Sequence, residues 1–183
     1  HEYRHRVQTY VSDDEGDTWE GPHTVVTDHD HPLNGAPGET GEDAPRDHVG
    51  KRADVLGTFS ETSLVELPGG ELVAFVRDDS NQGLDLFKAL SRDGGETWEG
   101  PYTMPIPGPH KPMGGVLNSG RVMLTYRFVQ GGAGPFWGAQ NTFAALTDVQ
   151  SCLATERNEA QANILPLDHD SGVDSDSGYT DWV

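Results

Sequence analysis

Apolar residues in this chain come in short alternating runs, many of them β-branched or aromatic, each closed by Gly, Pro, Asn or Asp. Ser63-Leu64-Val65-Glu66-Leu67, a Pro-Gly-Gly turn and Glu71-Leu72-Val73-Ala74-Phe75-Val76-Arg77 read as two strands of a hairpin. Fifty residues later Met113 to Leu117, an Asn-Ser-Gly turn and Arg121-Val122-Met123-Leu124-Thr125-Tyr126-Arg127 repeat the plan. A third strand follows each hairpin, Leu84 to Leu90 in one unit and Asn141 to Leu146 in the next. Long amphipathic helical periodicity is hard to find, and the chain reads as all-β.

The third strand of the first unit runs into Ser91-Arg92-Asp93-Gly94-Gly95-Glu96-Thr97-Trp98, followed by Glu-Gly-Pro. Tyr3 to Val11 leads in the same way into Ser12-Asp13-Asp14-Glu15-Gly16-Asp17-Thr18-Trp19, again followed by Glu-Gly-Pro, so the chain is expected to begin inside a repeat. In such a hairpin the Asp and the Ser or Thr side chains bond turn amides, Gly supplies a positive φ, and Trp packs under the turn. A period near 50 residues with four short strands each is the mark of propeller blades, which pack radially and need neighbours to cover their faces. Residues 1–183 are expected to form one partial β-propeller domain of about two complete blades and two partial ones. His29 to Asp54, rich in His, Gly, Pro and Asp, reads as a long loop, and so does Asp168 to Gly178. A new first strand is expected to open at Tyr179.

Charge narrows the partners. With 30 acidic and 12 basic residues among 183, the formal charge is -18, which repels polyphosphates and anionic membrane surfaces and argues against nucleic acid. Only Lys51, Lys88 and Lys111 are lysines, and the acids are spread along the chain, as on a folded protein with a solvated acidic shell. Salt screens the self-repulsion of such a shell, so a halophilic origin is expected. Cys152, the single cysteine, rules out an internal disulfide and fits a buried apolar position. No apolar run approaches the roughly 20 residues of a membrane span. No signal-peptide pattern is present, and the chain opens at His1 without an initiator Met, as a fragment or processed product would. The compartment stays unassigned.

The two Ser-x-Asp-x-Gly-x-Thr-Trp hairpins, at 12–19 and 91–98, resemble the Asp-boxes of the bacterial and archaeal exo-α-sialidase superfamily, the six-bladed BNR-repeat propellers. The resemblance covers about half of such a domain and implies its site residues. In that family a glutamate near the first strand of a blade precedes an arginine ending the second, as Glu61 in Phe59-Ser60-Glu61-Thr62 precedes Arg77 in Phe75-Val76-Arg77. The next family arginine ends a later strand, which matches Arg127 in Thr125-Tyr126-Arg127. The nucleophilic tyrosine opens a blade in a Tyr-Ser or Tyr-Thr step, which Ser177-Gly178-Tyr179-Thr180-Asp181 resembles.

Chemistry accounts for these residue types. A sialoside carries a carboxylate on its anomeric carbon, and planar guanidinium groups bind carboxylate in a two-pronged fork. A carboxylate nucleophile would be repelled by that charge, hence tyrosine in place of the usual second carboxylate. A phenol, with an ordinary pKa of about 10, needs a base, and Glu61 is the candidate.

The resemblance thus implies removal of a terminal sialic acid or a related sugar acid, from a sialylated or other acidic glycan, retaining through a tyrosyl intermediate and without a cofactor. The family's first arginine and its general-acid aspartate lie upstream of the matched stretch, Asp47 being a possible stand-in for the acid. Without the missing blades the chain alone is expected to be inactive. A non-catalytic propeller that binds acidic glycans or proteins is the alternative; it would keep the arginines and dispense with the Glu61 and Tyr179 pair. His29-Asp30-His31 and Asp168, Asp170, Asp174 and Asp176 lack the ligand spacing of zinc or EF-hand sites and read as solvated loops. Phe128, Phe136 and Trp137 follow Arg127 in a Gly-rich stretch, placed either to line a sugar pocket or to cap a blade.

Overall fold

A computed structural model of the chain describes residues 5–32, 57–80, 83–129, 139–170, 172 and 175–182. Among these residues ten strands form three antiparallel sheets: β1 (Arg6–Val11) with β2 (Glu20–Thr27); β3 (Phe59–Glu66), β4 (Leu72–Asp78), β5 (Asp85–Ser91) and β6 (Glu99–Pro107); and β7 (Pro109–Val116), β8 (Val122–Val129), β9 (Gln140–Thr147) and β10 (Asn163–Asp170). Each four-stranded sheet is a simple meander in chain order, and among the described residues no sheet closes into a barrel. The all-β expectation holds.

The middle sheet buries both faces, and its alternation shows how. Val73 and Phe75 of β4 belong to a cluster with Val122, Leu124 and Tyr126 of β8, whereas Ala74 and Val76 face Val25 and Val26 of β2. The sheets therefore stack face to face, in chain order. Close approach of the third sheet depends on Gly114: a Cβ there would sit 2.9 Å from Val65 Cγ2, and its amide donates to Ser63 Oγ at 2.9 Å. First strands β3 and β7 are thus neighbours.

Both Asp-box hairpins carry the same bonds. Ser12 Oγ accepts from Gly16 N at 2.8 Å, Asp14 accepts from Thr18 N at 2.8 Å, and Trp19 Nε1 donates to Gly16 O at 3.0 Å. In the second, Ser91 accepts from Gly95 N at 2.9 Å, Asp93 from Thr97 N at 2.9 Å, and Trp98 Nε1 donates to Gly95 O at 3.0 Å. Gly16 and Gly95 have φ of 96° and 99°, as the motif requires.

Four local expectations are corrected or refined. Asp168 to Asp170 extend β10, paired with Thr142, Asn141 and Gln140 of β9 through a bulge, so the tail loop begins later than Asp168. Tyr179 to Trp182 form no strand; the segment is held instead by Trp182, whose Nε1 donates to Met113 O at 3.2 Å and whose ring lies against Gly115. A helix, α1 (Val149–Leu153), follows β9, its first turn capped by Asp148 accepting from Ser151 N at 2.7 Å. Its five residues are too few to register as periodicity. The His29 to Asp54 loop starts as a single 3-10 turn, Asp28–Asp30, after which His31 is buried and bonded to Asp78 Oδ1 at 2.9 Å.

Cys152, in α1, faces the core, where burial pushes its thiol up to about 12. Lys88 of β5 is fully buried too, and its ammonium donates to the carbonyls of Ser151 at 2.7 Å and Cys152 at 2.8 Å, which ties the middle sheet to the helix. Burial lowers Lys88 to about 8. No helix is long and apolar enough to cross a membrane among the described residues.

Candidate functional site

The site is built at the ends of the first two strands in two successive sheets. In the β3–β4 ladder Phe59 pairs with Asp78 and Thr62 with Val76, so Ser60 and Glu61 together oppose the single residue Arg77. This is a β-bulge, and bulges re-aim side chains out of the regular alternation. Glu61 is turned onto its cross-strand neighbour: Arg77 Nη1 donates to Glu61 Oε2 at 2.5 Å, and Nη2 meets Asp79 Oδ1 at 2.7 Å. Arg77 is buried, and the Glu61 side chain is 25% exposed.

From the far end of the chain, Tyr179 reaches the same place. Its hydroxyl oxygen lies 3.4 Å from Arg77 Nη1, the nitrogen that also donates to the Glu61 carboxylate. The Arg127 guanidinium stacks on the Tyr179 ring, Cζ 4.7 Å from the centroid, and Lys111 Nζ stands 5.5 Å from it. Tyr179 is 53% exposed, so the group opens to solvent on that side. Arg127 is buried and pairs through Nη1 with Asp176 Oδ1 at 3.2 Å.

The Tyr179 segment is positioned by side chains of the third sheet. Gln140 N donates to Ser175 Oγ at 2.9 Å, Ser177 N donates to Gln140 Oε1 at 3.1 Å, and Asp176 N donates to Asp170 Oδ2 at 2.8 Å. These bonds take the place of a strand ladder. They also occupy Asp170 and Asp176 with amides and Arg127, and among the described residues no group of three or more His, Cys, Asp or Glu is placed to hold a metal.

Electrostatics favour charged partners throughout. Burial works to raise the Glu61 carboxyl, but hydrogen bonds from Arg77 and Tyr179 and the charges of Arg77 and Lys111 outweigh it and hold the group below the glutamate value of 4.5. Glu61 is therefore ionised at neutral pH and able to accept a proton. Buried His110, one residue before Lys111, is pushed from 6.5 down to about 4 by its burial and by the charges of Arg77 and Arg127. Its imidazole is neutral near pH 7, which adds no further positive charge to the cluster.

All four residues singled out in the sequence, Glu61, Arg77, Arg127 and Tyr179, thus meet in one cluster. Asp47, Phe136 and Trp137 lie outside the described residues, as does Asp174. Phe128 stacks on Phe143 at 5.7 Å between ring centroids, a packing contact of the third sheet. Lys111, His110 and Asp79 belong to the cluster without having been expected there. Lys111 stands fifty positions after Glu61, the offset that relates Arg77 to Arg127, and that offset is the signal that points to it.

No protein family model matches the chain, and no curated protein matches it. Among solved structures it is similar to a protein of unknown function from Dyadobacter fermentans DSM 18053, at 24% identity and a TM-score of 0.59, over 90% of this chain and 34% of that one. The chain thus spans about a third of that neighbour's length. Likeness at this identity extends to the fold and carries no activity with it.

Proposed function

We propose that the chain is part of a sialidase-type β-propeller, and that it supplies the nucleophile, its base and two carboxylate-binding arginines for removal of a terminal sialic acid or related sugar acid. The propeller reading is supported by two four-stranded meanders stacked in chain order with their first strands adjacent, and by Asp-box hairpins in the same connection of successive sheets. The catalytic reading rests on one observation: Arg77 Nη1 bridges ionised Glu61 and the Tyr179 hydroxyl, 3.4 Å from the latter, beside Arg127.

In this mechanism Arg77 and Arg127 take the substrate carboxylate and orient the anomeric carbon towards Tyr179. As the Tyr179 oxygen bonds to that carbon, its proton passes to Glu61, and the glycosidic C–O bond breaks. The departing oxygen takes a proton from an acid outside the described residues. Water then attacks the tyrosyl intermediate, giving a proton back to that acid's conjugate base; Glu61 returns its proton to the departing phenolate, and two displacements give net retention.

The test is turnover of a fluorogenic sialoside by the full gene product. Tyr179→Phe, a change at a half-exposed position with little effect on folding, is expected to lower kcat at least about 1,000-fold. Substrate-level activity in that variant would overturn the nucleophile assignment. Tight binding of the sialoside with no turnover by the unsubstituted protein would favour the non-catalytic binding propeller.

A further inference from the structure

We propose that Lys111 is a third cationic contact for the substrate's carboxylate, acting with Arg77 and Arg127; the inference rests on the sugar-acid reading above. It starts from a repeated backbone feature. Between the pairs Phe59–Asp78 and Ser63–Phe75, three residues of β3 face two of β4; between Pro109–Phe128 and Met113–Thr125, three of β7 face two of β8. Both first strands therefore bulge near the arginine of the second strand, Ser60 and Glu61 against Arg77 in β3, and Lys111 and Pro112 against Tyr126, beside Arg127, in β7.

Glu61 and Lys111, fifty positions apart, each lie in one of these bulges and are of opposite charge. Both lie beside Tyr179, Glu61 through Arg77 Nη1, which bonds both its carboxylate and the Tyr179 hydroxyl, and Lys111 with its ammonium 5.5 Å from the ring centroid. Lys111 holds a φ of +49°, a left-handed conformation that costs a non-glycine residue free energy and concentrates at functional sites.

Charge pairing gives Lys111 its role. Arg77 is engaged by Glu61 and Asp79, and Arg127 by Asp176. Among the described residues, no carboxylate lies within ion-pairing distance of Lys111. Its charge still bears on Glu61. In a chain of formal charge -18 with three lysines, a half-buried ammonium beside two arginines, with no carboxylate in ion-pairing distance among the described residues, is a place for an incoming anion. A carboxylate bridging Arg127 and Lys111 would meet a fork on one side and a mobile point charge on the other.

The test is calorimetric binding of N-acetylneuraminic acid and of its uncharged methyl ester to the full gene product. The unsubstituted protein is expected to prefer the acid. Lys111→Met is expected to weaken binding of the acid about tenfold and leave the ester unchanged, with Lys111→Arg, which keeps the charge, within about threefold of the original. An undiminished preference for the acid in K111M, in a protein where Arg127→Met abolishes it, overturns this inference and leaves the sugar-acid reading standing. No preference for the acid in the unsubstituted protein overturns both.

Discussion

Glu61 and Arg77 face each other across a bulge in which two residues of β3 oppose one of β4, and their side chains meet at 2.5 Å. The bulge makes the pair possible. In regular pairing Glu61 and its neighbours would alternate strictly between the two faces; the extra residue turns the carboxylate along the ladder to the arginine and leaves its second side towards Tyr179.

One consequence concerns activity. Glu61→Gln keeps the size of the side chain and removes the base, so kcat on a sialoside is expected to fall about 100-fold or more with KM little changed. The carboxyl is held below 4.5, so the acid limb of the kcat profile should fall below that pH in the unsubstituted protein and vanish in E61Q. An acid limb that persists in E61Q would assign it to another group.

His110 gives a separable pH effect on stability. Above 6.5 the imidazole is neutral whether the chain is folded or unfolded; between 6.5 and about 4 the unfolded chain takes up a proton that the folded one does not. Stability should therefore rise with pH across that window, by at most about 3 kcal/mol. Urea unfolding at a series of pH values is expected to show this rise, and His110→Gln to flatten it. The lowered carboxylates Asp78, Asp93 and Glu61 lose their contribution at more acid pH, as the pH falls through their own folded values, so the two effects occupy different windows.

Lys88 ties two sheets together through α1. Lys88→Met fills similar space but leaves the Ser151 and Cys152 carbonyls without their donor, and is expected to lower unfolding free energy by about 2 kcal/mol in urea titrations. A neutral or stabilising result would mean that relief of the buried charge outweighs the two bonds.

The acidic shell leads to a salt prediction. With a formal charge of -18, the melting temperature should climb as NaCl is raised from about 0.1 M to about 2 M. A flat response would remove the case for a halophilic origin.

Much of this was legible in local sequence because its signals are local. The hairpins around Pro68-Gly69-Gly70 and Asn118-Ser119-Gly120 announce themselves by alternation and turn residues, and the Asp-boxes place Arg77 and Arg127 on matching strand ends. What escaped depends on contacts distant in sequence or on single extra residues. His31 meets Asp78 across 47 positions and Lys88 meets Ser151 across 63, with no pattern to join them. The bulges at Glu61 and Lys111 leave no mark in a hydrophobic pattern, yet they aim both side chains. Tyr179, expected to open a strand, comes to the site on an unpaired segment that Gln140 and Asp170 hold by side-chain bonds.

The most direct test is to quench the full gene product during turnover of a sialoside with a good leaving group and map the peptides by mass spectrometry. One glycosyl adduct is expected, on Tyr179, absent from Tyr179→Phe and short-lived when Glu61 is intact. Sialoside turnover with no adduct on Tyr179, or with the adduct on another residue, would contradict that expectation.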